Sequence, residues 1–417
     1  MHGSGGFVVP RDMQELIDRP GHLPPLQGGN RLRLLYQQNS ANIDLGLLSE
    51  FARYCFLGNV EGVKRAIESG DAPDILSFET PYKFSYPIFT VHGAQRIVGG
   101  SPGMMDHAGT LRYLLEQGAP PNLADVVGYT ALHHACLVRP QSDLARILLE
   151  AGADPNQQDR FGGVPLMGAF QNDSIPTVDA LMEFGADLDI EDADGNSPEE
   201  FFIKAGPAVT AAVQKWKRKR AGETQPLEEK TCATCGRSDA ELKFCGKCGA
   251  SWYCSKECQK SDWQNHKQSC IGFNAESTVT LTPFYEDIGR IMPTADVQRA
   301  SFGYKVPKQS KRNMRSVHIP HIPDGGSKKM IIKVQVPFDM DTGMPHAAEV
   351  GDMLVFDKKR SLVCRIRRQD DEEGYLRLSR IIRRKGVSGA KAYFPAEMRR
   401  ADKLVVKVSE VLAEQAF

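Results

Sequence analysis

Eight residues between Cys232 and Cys270 have the types and spacing to hold metal: Cys232-x2-Cys235, Cys245-x2-Cys248, Cys254-x3-Cys258 and His266-x3-Cys270. Four donor pairs are enough for two tetrahedral zinc ions. The x2 pairs suit tight knuckle turns, with Gly236, Gly246 and Gly249 beside them to take positive φ. The i, i+4 spacing of the last two pairs sets each on one face of a helical turn. Each ion can therefore take one knuckle pair and one helical pair. The stretch has few core hydrophobes, namely Leu242, Phe244, Trp252, Tyr253 and Trp263. A unit this small cannot close its own core, so zinc would supply on the order of 10 kcal/mol of folding free energy per site. Four protein donors leave an ion no position for water, which points to structural metal rather than hydrolysis. A reduced thiol cluster, or disulfides, is the alternative reading.

Tyr253-Cys254, Cys258-Gln259, Asp262-Trp263 and His266-Lys267 accompany the ligands. With them the stretch resembles the MYND-type zinc finger. The resemblance implies interleaved pairs. One zinc takes Cys232, Cys235, Cys254 and Cys258, and the other takes Cys245, Cys248, His266 and Cys270. It also implies binding of short proline-containing peptides along the strand Ser251-Trp252-Tyr253, through Trp252, Tyr253, Gln259 and Trp263. Some peptide-binding members carry a hydroxyl in the second knuckle, where this chain has Gly246. Trp263 has a second reading, as the finger's own core. Pro20-Gly-His-Leu23-Pro24-Pro25-Leu26 reads as an extended linker or as an internal peptide ligand.

The elements before the finger repeat. Leu114-Leu-Glu-Gln-Gly118, Leu148-Leu-Glu-Ala-Gly152 and Leu181-Met-Glu-Phe-Gly185 recur at 34 and 33 residues. Ala131-Leu132-His133, Pro165-Leu166-Met167 and Pro198-Glu199-Glu200 keep step with them. The pattern resembles the ankyrin repeat, a turn plus two short antiparallel helices that must stack to bury a core. Thr130 is placed to cap a helix and His133 to bond backbone across the turn, so His133, His134 and Cys136 read as structural rather than catalytic. An earlier unit runs from Phe51 to Gly70, and about 14 extra residues lie between Gly70 and Gly118. They read as a binding-face insertion or as a lengthened loop. Lys215-Trp-Lys-Arg-Lys-Arg220 is the positive end of a last helix, or a nuclear import address.

Past the finger, strands are expected at 277–282, 329–337, 351–356 and 362–367. A hairpin joins the last of these to Tyr375–Ile382 across the acidic turn 370–374, with Arg365, Arg367 and Arg377 on one side. Leu404–Val411 is a closing strand or helix. Residues 301–417 hold 24 Lys+Arg against 14 Asp+Glu, a basic face for solvent, an acidic partner or nucleic acid.

Over the whole chain, Lys+Arg and Asp+Glu are 52 each, so net charge predicts no partner. Seven of the ten cysteines sit in the finger, the usage of a reducing compartment, cytoplasmic or nuclear. No apolar run of transmembrane length and no signal-peptide pattern is expected. The expected fold is multidomain: an α-solenoid of ankyrin repeats, a small two-zinc MYND finger and a small C-terminal β-rich or α+β domain. The boundaries are an irregular segment 1–41, repeats 42–220, a linker 221–230, the finger 231–271, a linker with a short strand 272–324, and the basic domain 325–417. The expected function is a protein-binding adaptor or scaffold, not an enzyme, with two structural Zn2+. The alternatives are a MYND-associated lysine methyltransferase-like enzyme and a nucleic-acid-associated transcriptional regulator. Residues 271–417 offer no Asn-His-Ser-like cofactor motif and no post-finger cysteine cluster for the former.

Overall fold

The computed structural model describes residues 3–97, 105–137, 139–223, 225, 231–292, 296–297, 300, 306, 308, 314–323, 326–337, 350–415 and 417. They form two compact units, Met1–Trp216 and Lys217–Phe417.

The first unit is helical. Its helix pairs are α3 (Glu50–Leu57) with α4 (Val60–Ser69), α5 (Tyr86–Arg96) with α6 (His107–Glu116), and α7 (Ala131–Cys136) with α8 (Ser142–Glu150). Then come α9 (Pro165–Gln171) with α10 (Ile175–Glu183) and α11 (Pro198–Phe201) with α12 (Pro207–Ala221). First helices pack on first helices and second on second, so one core of Leu, Val, Ala and Phe runs through the pairs. Each pair starts on a cap or a proline. Thr130 and His133 form a reciprocal capping box on α7, as their types predict. Between pairs the turns carry a device that sequence reading passes over. Asp125 accepts from the N–H groups of Val127 and Tyr129, Asp159 from those of Phe161 and Gly163, and Asp192 from those of Asp194 and Asn196. The three aspartates recur at the repeat period, which is the signal that marks them. Gly162 closes its turn at φ +75°, and a Cβ there would press on Ala193 N at 2.7 Å. Part of the insertion after Gly70 is a short hairpin, β1 (Phe78–Glu79) with β2 (Phe84–Ser85); residues 98–104 lie outside the described ones.

The segment before the repeats is a correction. An irregular stretch with one helix near Met13–Ile17 is expected. α1 (Arg11–Ile17) is there, but so is α2 (Gly29–Asn39), eleven residues long. α2 starts on no polar cap and has a weakly apolar sequence, so nothing local announces it. It is held by tertiary burial of Leu32, Leu35 and Tyr36.

The second unit joins the finger to a six-stranded antiparallel sheet, β5 (Thr278–Leu281), β6 (Lys328–Gln335), β7 (Met353–Asp357), β8 (Val363–Ile366), β9 (Lys391–Arg400) and β10 (Lys403–Lys407). Their order is β5-β10-β9-β6-β7-β8. β5 therefore belongs to this sheet, at one edge. The expected hairpin is half right. β8 is its first arm, but Tyr375–Ile382 lies within a helix, α14 (Glu372–Lys385). Tyr375, Leu378 and Ile382 recur at i, i+3 and i+7 and pack on the sheet, while Asp371 caps the first turn. The acidic run is a helix start, and Arg377 stands on α14, apart from Arg365 and Arg367. β9, at the sheet's centre, is not among the expected strands, and Pro395 lies within it. Its ladder to β10 ends at Ala396, one residue from that proline. Among the described residues no helix is long and apolar enough to cross a membrane. Of the basic run, Trp216 donates to Asp179 at 2.7 Å in the first unit, and Arg218 is buried against Glu414 at 2.7 Å in the second. Most of the expected linker 221–230 lies outside the described residues.

Candidate metal centre

The finger is built from two knuckles, a two-stranded ribbon of β3 (Lys243–Phe244) and β4 (Trp252–Tyr253), and the helix α13 (Lys256–Ser269). Ser255 caps α13 by accepting from Cys258 N, which fixes the turn that carries Cys258 four residues from Cys254. Gly236 and Gly249 close the knuckles at φ +71° each.

Two sets of four donor atoms converge. Those of Cys232, Cys235, Cys254 and Cys258 lie within 4.8 Å of one another, as do those of Cys245, Cys248, His266 and Cys270. These sets pair the donors as the family resemblance implies. Within the first, Cys235–Cys254 and Cys254–Cys258 sulfurs are 3.6 and 3.5 Å apart. In the second, Cys245–Cys270 sulfurs are 3.9 Å apart and Cys248 Sγ lies 3.5 Å from His266 Nε2. A tetrahedron with zinc–sulfur bonds of about 2.3 Å has sulfur–sulfur edges of about 3.8 Å, so the donors fit zinc. A disulfide would need about 2.05 Å, and all ten cysteines are free thiols.

Thiol chemistry agrees with the geometry. Burial pushes the Cys232 thiol up, but N–H groups of Cys235, Cys254 and Thr234 outweigh it and bring it down to about 6. Hydrogen bonds shared with Cys258 and the other two thiols push Cys254 up to about 12. Burial and the charges of Cys248 and Cys245 likewise push Cys270 up to about 12. Four thiolates in the first set, and three in the second, repel one another at these distances, and a dication removes the conflict. His266 is aimed by a residue that sequence reading missed: Ser251 Oγ lies 3.3 Å from His266 Nδ1 and leaves Nε2 toward the sulfurs.

The other candidate residues surround these centres. Trp252 stacks on Phe244 with ring centroids 4.0 Å apart. Tyr253 is buried and donates to Asp262 at 2.6 Å. Gln259 is half-buried on α13, and Trp263 is 40% exposed with Lys247 Nζ 6.0 Å from its ring centroid. The far side of the second knuckle rests on the sheet. Lys407, 0% exposed, donates to Cys248 O at 3.2 Å and pairs with Glu410 at 2.9 Å. Lys329 donates to Gly246 O, and Gly249 faces Pro395.

Comparison with known proteins gives the same two modules. The MYND finger family matches residues 232–270, and a family described as ankyrin repeats (3 copies) matches residues 104–159. SET domain-containing protein 14 of Caenorhabditis elegans is 43% identical over 51 residues, 12% of either chain. Egl nine homolog 1 of Mus musculus is 42% identical over 70 residues, 17% of this chain and 14% of its own. N-lysine methyltransferase SMYD2 of Homo sapiens is 38% identical over 58 residues, 12% of this chain and 13% of its own. This chain thus spans only about an eighth of these relatives' length. What the donor geometry and the comparisons agree on is a chain that carries ankyrin repeats and a zinc-binding MYND finger.

Proposed function

We propose that this chain is a zinc-dependent adaptor of the cytosol or nucleus, without catalysis of its own. In this reading the repeats form an α-solenoid that presents one face to proteins, and the finger holds a proline-containing peptide. The observation that carries it is the pair of four-donor sets, each complete from protein alone. A metal so enclosed has no vacancy for substrate or water and serves to set the surface around it. On that surface Trp263 stands out from the core beside Gln259, and since Ala233 N already bonds Trp252 O at 2.9 Å, a peptide would be held by these side chains rather than by adding to β4. Of the relatives named above, SMYD2 is by its name a methyltransferase. It matches this chain over 58 residues, 13% of its own length, and that stretch carries no activity across.

Atomic absorption on reduced, dialysed protein tests the metal: two zinc per chain are expected, and a value near zero defeats the reading. Trp263→Ala tests the peptide site. It should keep both zinc ions and weaken binding of a labelled proline-containing peptide about tenfold or more; unchanged binding would return Trp263 to a packing role.

A further inference from the structure

The repeat face is already covered at the turns before α7 and α9, and what covers it is the segment of α1 and α2. α2 sets Tyr36 against the turn before α7: its hydroxyl donates to Asp125 Oδ2 at 2.5 Å, and its ring meets Tyr129 edge-on at 5.6 Å. The same carboxylate oxygen takes His134 Nε2 at 3.1 Å, and His134 Nδ1 lies 3.2 Å from His92 Nε2. One turn of helix earlier, the Arg33 guanidinium lies 4.2 Å over the Phe161 ring. From the repeat side, Arg160 reaches back to the end of α1. It donates to the carbonyls of Arg19 at 2.5 Å and of Leu16 and Ile17 at 3.4 Å, and also to that of Gly21, while its own carbonyl accepts from Leu23 N at 2.8 Å. A cation on the unpaired carbonyls at a helix's end is favourable on both counts, charge and hydrogen bonding.

Met13, Leu16, Leu32 and Leu35 share the repeats' apolar core, and these polar contacts add features of recognition to it. Repeats stack on their immediate neighbours through apolar surfaces, whereas here an aromatic hydroxyl, a guanidinium over a ring and a carbonyl cluster are each read by a matching group as well. The segment also lies outside the repeat period and joins it through the exposed residues Ala41 and Asn42. We propose that residues 11–39 are a built-in ligand of this face. The outside partner the face fits is then an amphipathic helix with two leucines, an arginine and a tyrosine on one side, as Leu32, Arg33, Leu35 and Tyr36 are arranged. The inference rests on the adaptor reading and adds a condition to it: the face opens to others when a helix of this pattern displaces the chain's own.

The test uses the full chain with a protease site inserted between Ser40 and Ala41. After cleavage, a fluorescent peptide of residues 1–40 is added and its anisotropy followed, with zinc content and far-ultraviolet dichroism measured in parallel. The expected result is exchange of labelled for nicked segment with helical signal retained, and a Tyr36→Phe peptide competing about tenfold less well. Failure of the label to enter, loss of the repeats' helical signal on cleavage, or equal competition by the Tyr36→Phe peptide would each overturn it, because the segment would then be core. The assay needs no outside protein. Its failure condemns the built-in ligand alone, whereas missing zinc condemns the adaptor reading alone.

Discussion

At the scale of single residues, His133 shows how burial and a hydrogen bond share one side chain. Its Nδ1 accepts from Thr130 N at 3.2 Å and lies 2.9 Å from Thr130 Oγ1, while Nε2 faces Gly163 O at 3.4 Å. Burial brings its pKa down to about 4, ahead of the opposing pull of Gly163 O, with the charges of His134 and Asp125 as further influences. The unfolded chain holds that proton up to about pH 6.5. Between pH 6.5 and about 4 the unfolded state therefore binds more protons, and stability falls as pH falls through this window. Asp159 has the opposite sign, since burial raises it to about 7 and it loses stability as pH rises. Comparing two proteins that share Asp159 cancels that contribution. His133→Gln keeps a side chain able to close the capping box. Its melting temperature relative to the parent should rise by on the order of 5 °C between pH 7.5 and pH 5. A pH-independent difference would mean that the parent's imidazole is not held neutral. The residues legible in sequence were those whose type and spacing suffice: the eight ligands, Thr130 and His133. Ser251, Asp125 and Tyr36 act through partners 15 or more residues away or through a repeat device, and no local pattern names them.

At the scale of elements, α14 explains why one stretch misleads. Tyr375–Ile382 satisfies a two-residue alternation in part and a 3.6-residue period in full, and short runs of this kind do not separate the two. What decides is the cap. Asp371 accepts from Gly374 N at 3.0 Å, with Glu372 and Glu373 in the first turn and Arg383, Arg384 and Lys385 in the last, the charge order a helix dipole favours. Asp371→Ala should therefore cost about 1 kcal/mol, seen as a lower urea midpoint for the second unit at unchanged slope. An unaffected midpoint would show that tertiary burial of Tyr375 and Ile382 holds the helix by itself. β9 fails in the other direction: Pro395 forbids a central strand by rule, yet the sheet tolerates it beyond the end of the β10 ladder. The ankyrin pairs were legible because each element repeats and so confirms its neighbours' period. α2 has no copy and was not.

At the scale of the molecule, the finger and the C-terminal sheet form one compact unit, and their contact is polar as well as apolar. The second donor set sits on the side that meets the sheet, through Cys248 O and Gly246 O. Stripping metal should therefore loosen more than the finger. With a chelator present, amide hydrogen exchange in β9 and β10 should quicken while α7 to α10 keep their protection. Loss of protection confined to residues 231–271 would make the finger an independent appendage. Lys407 gives this coupling a chemical clock. An amine with no solvent contact cannot meet an acylating reagent, so its modification must wait for the knuckle to lift away from β10. Timed labelling followed by peptide mapping would then count how often that separation occurs. Surface lysines such as Lys256 and Lys260 would react at once and Lys407 only at the opening rate, hastened when zinc is withdrawn.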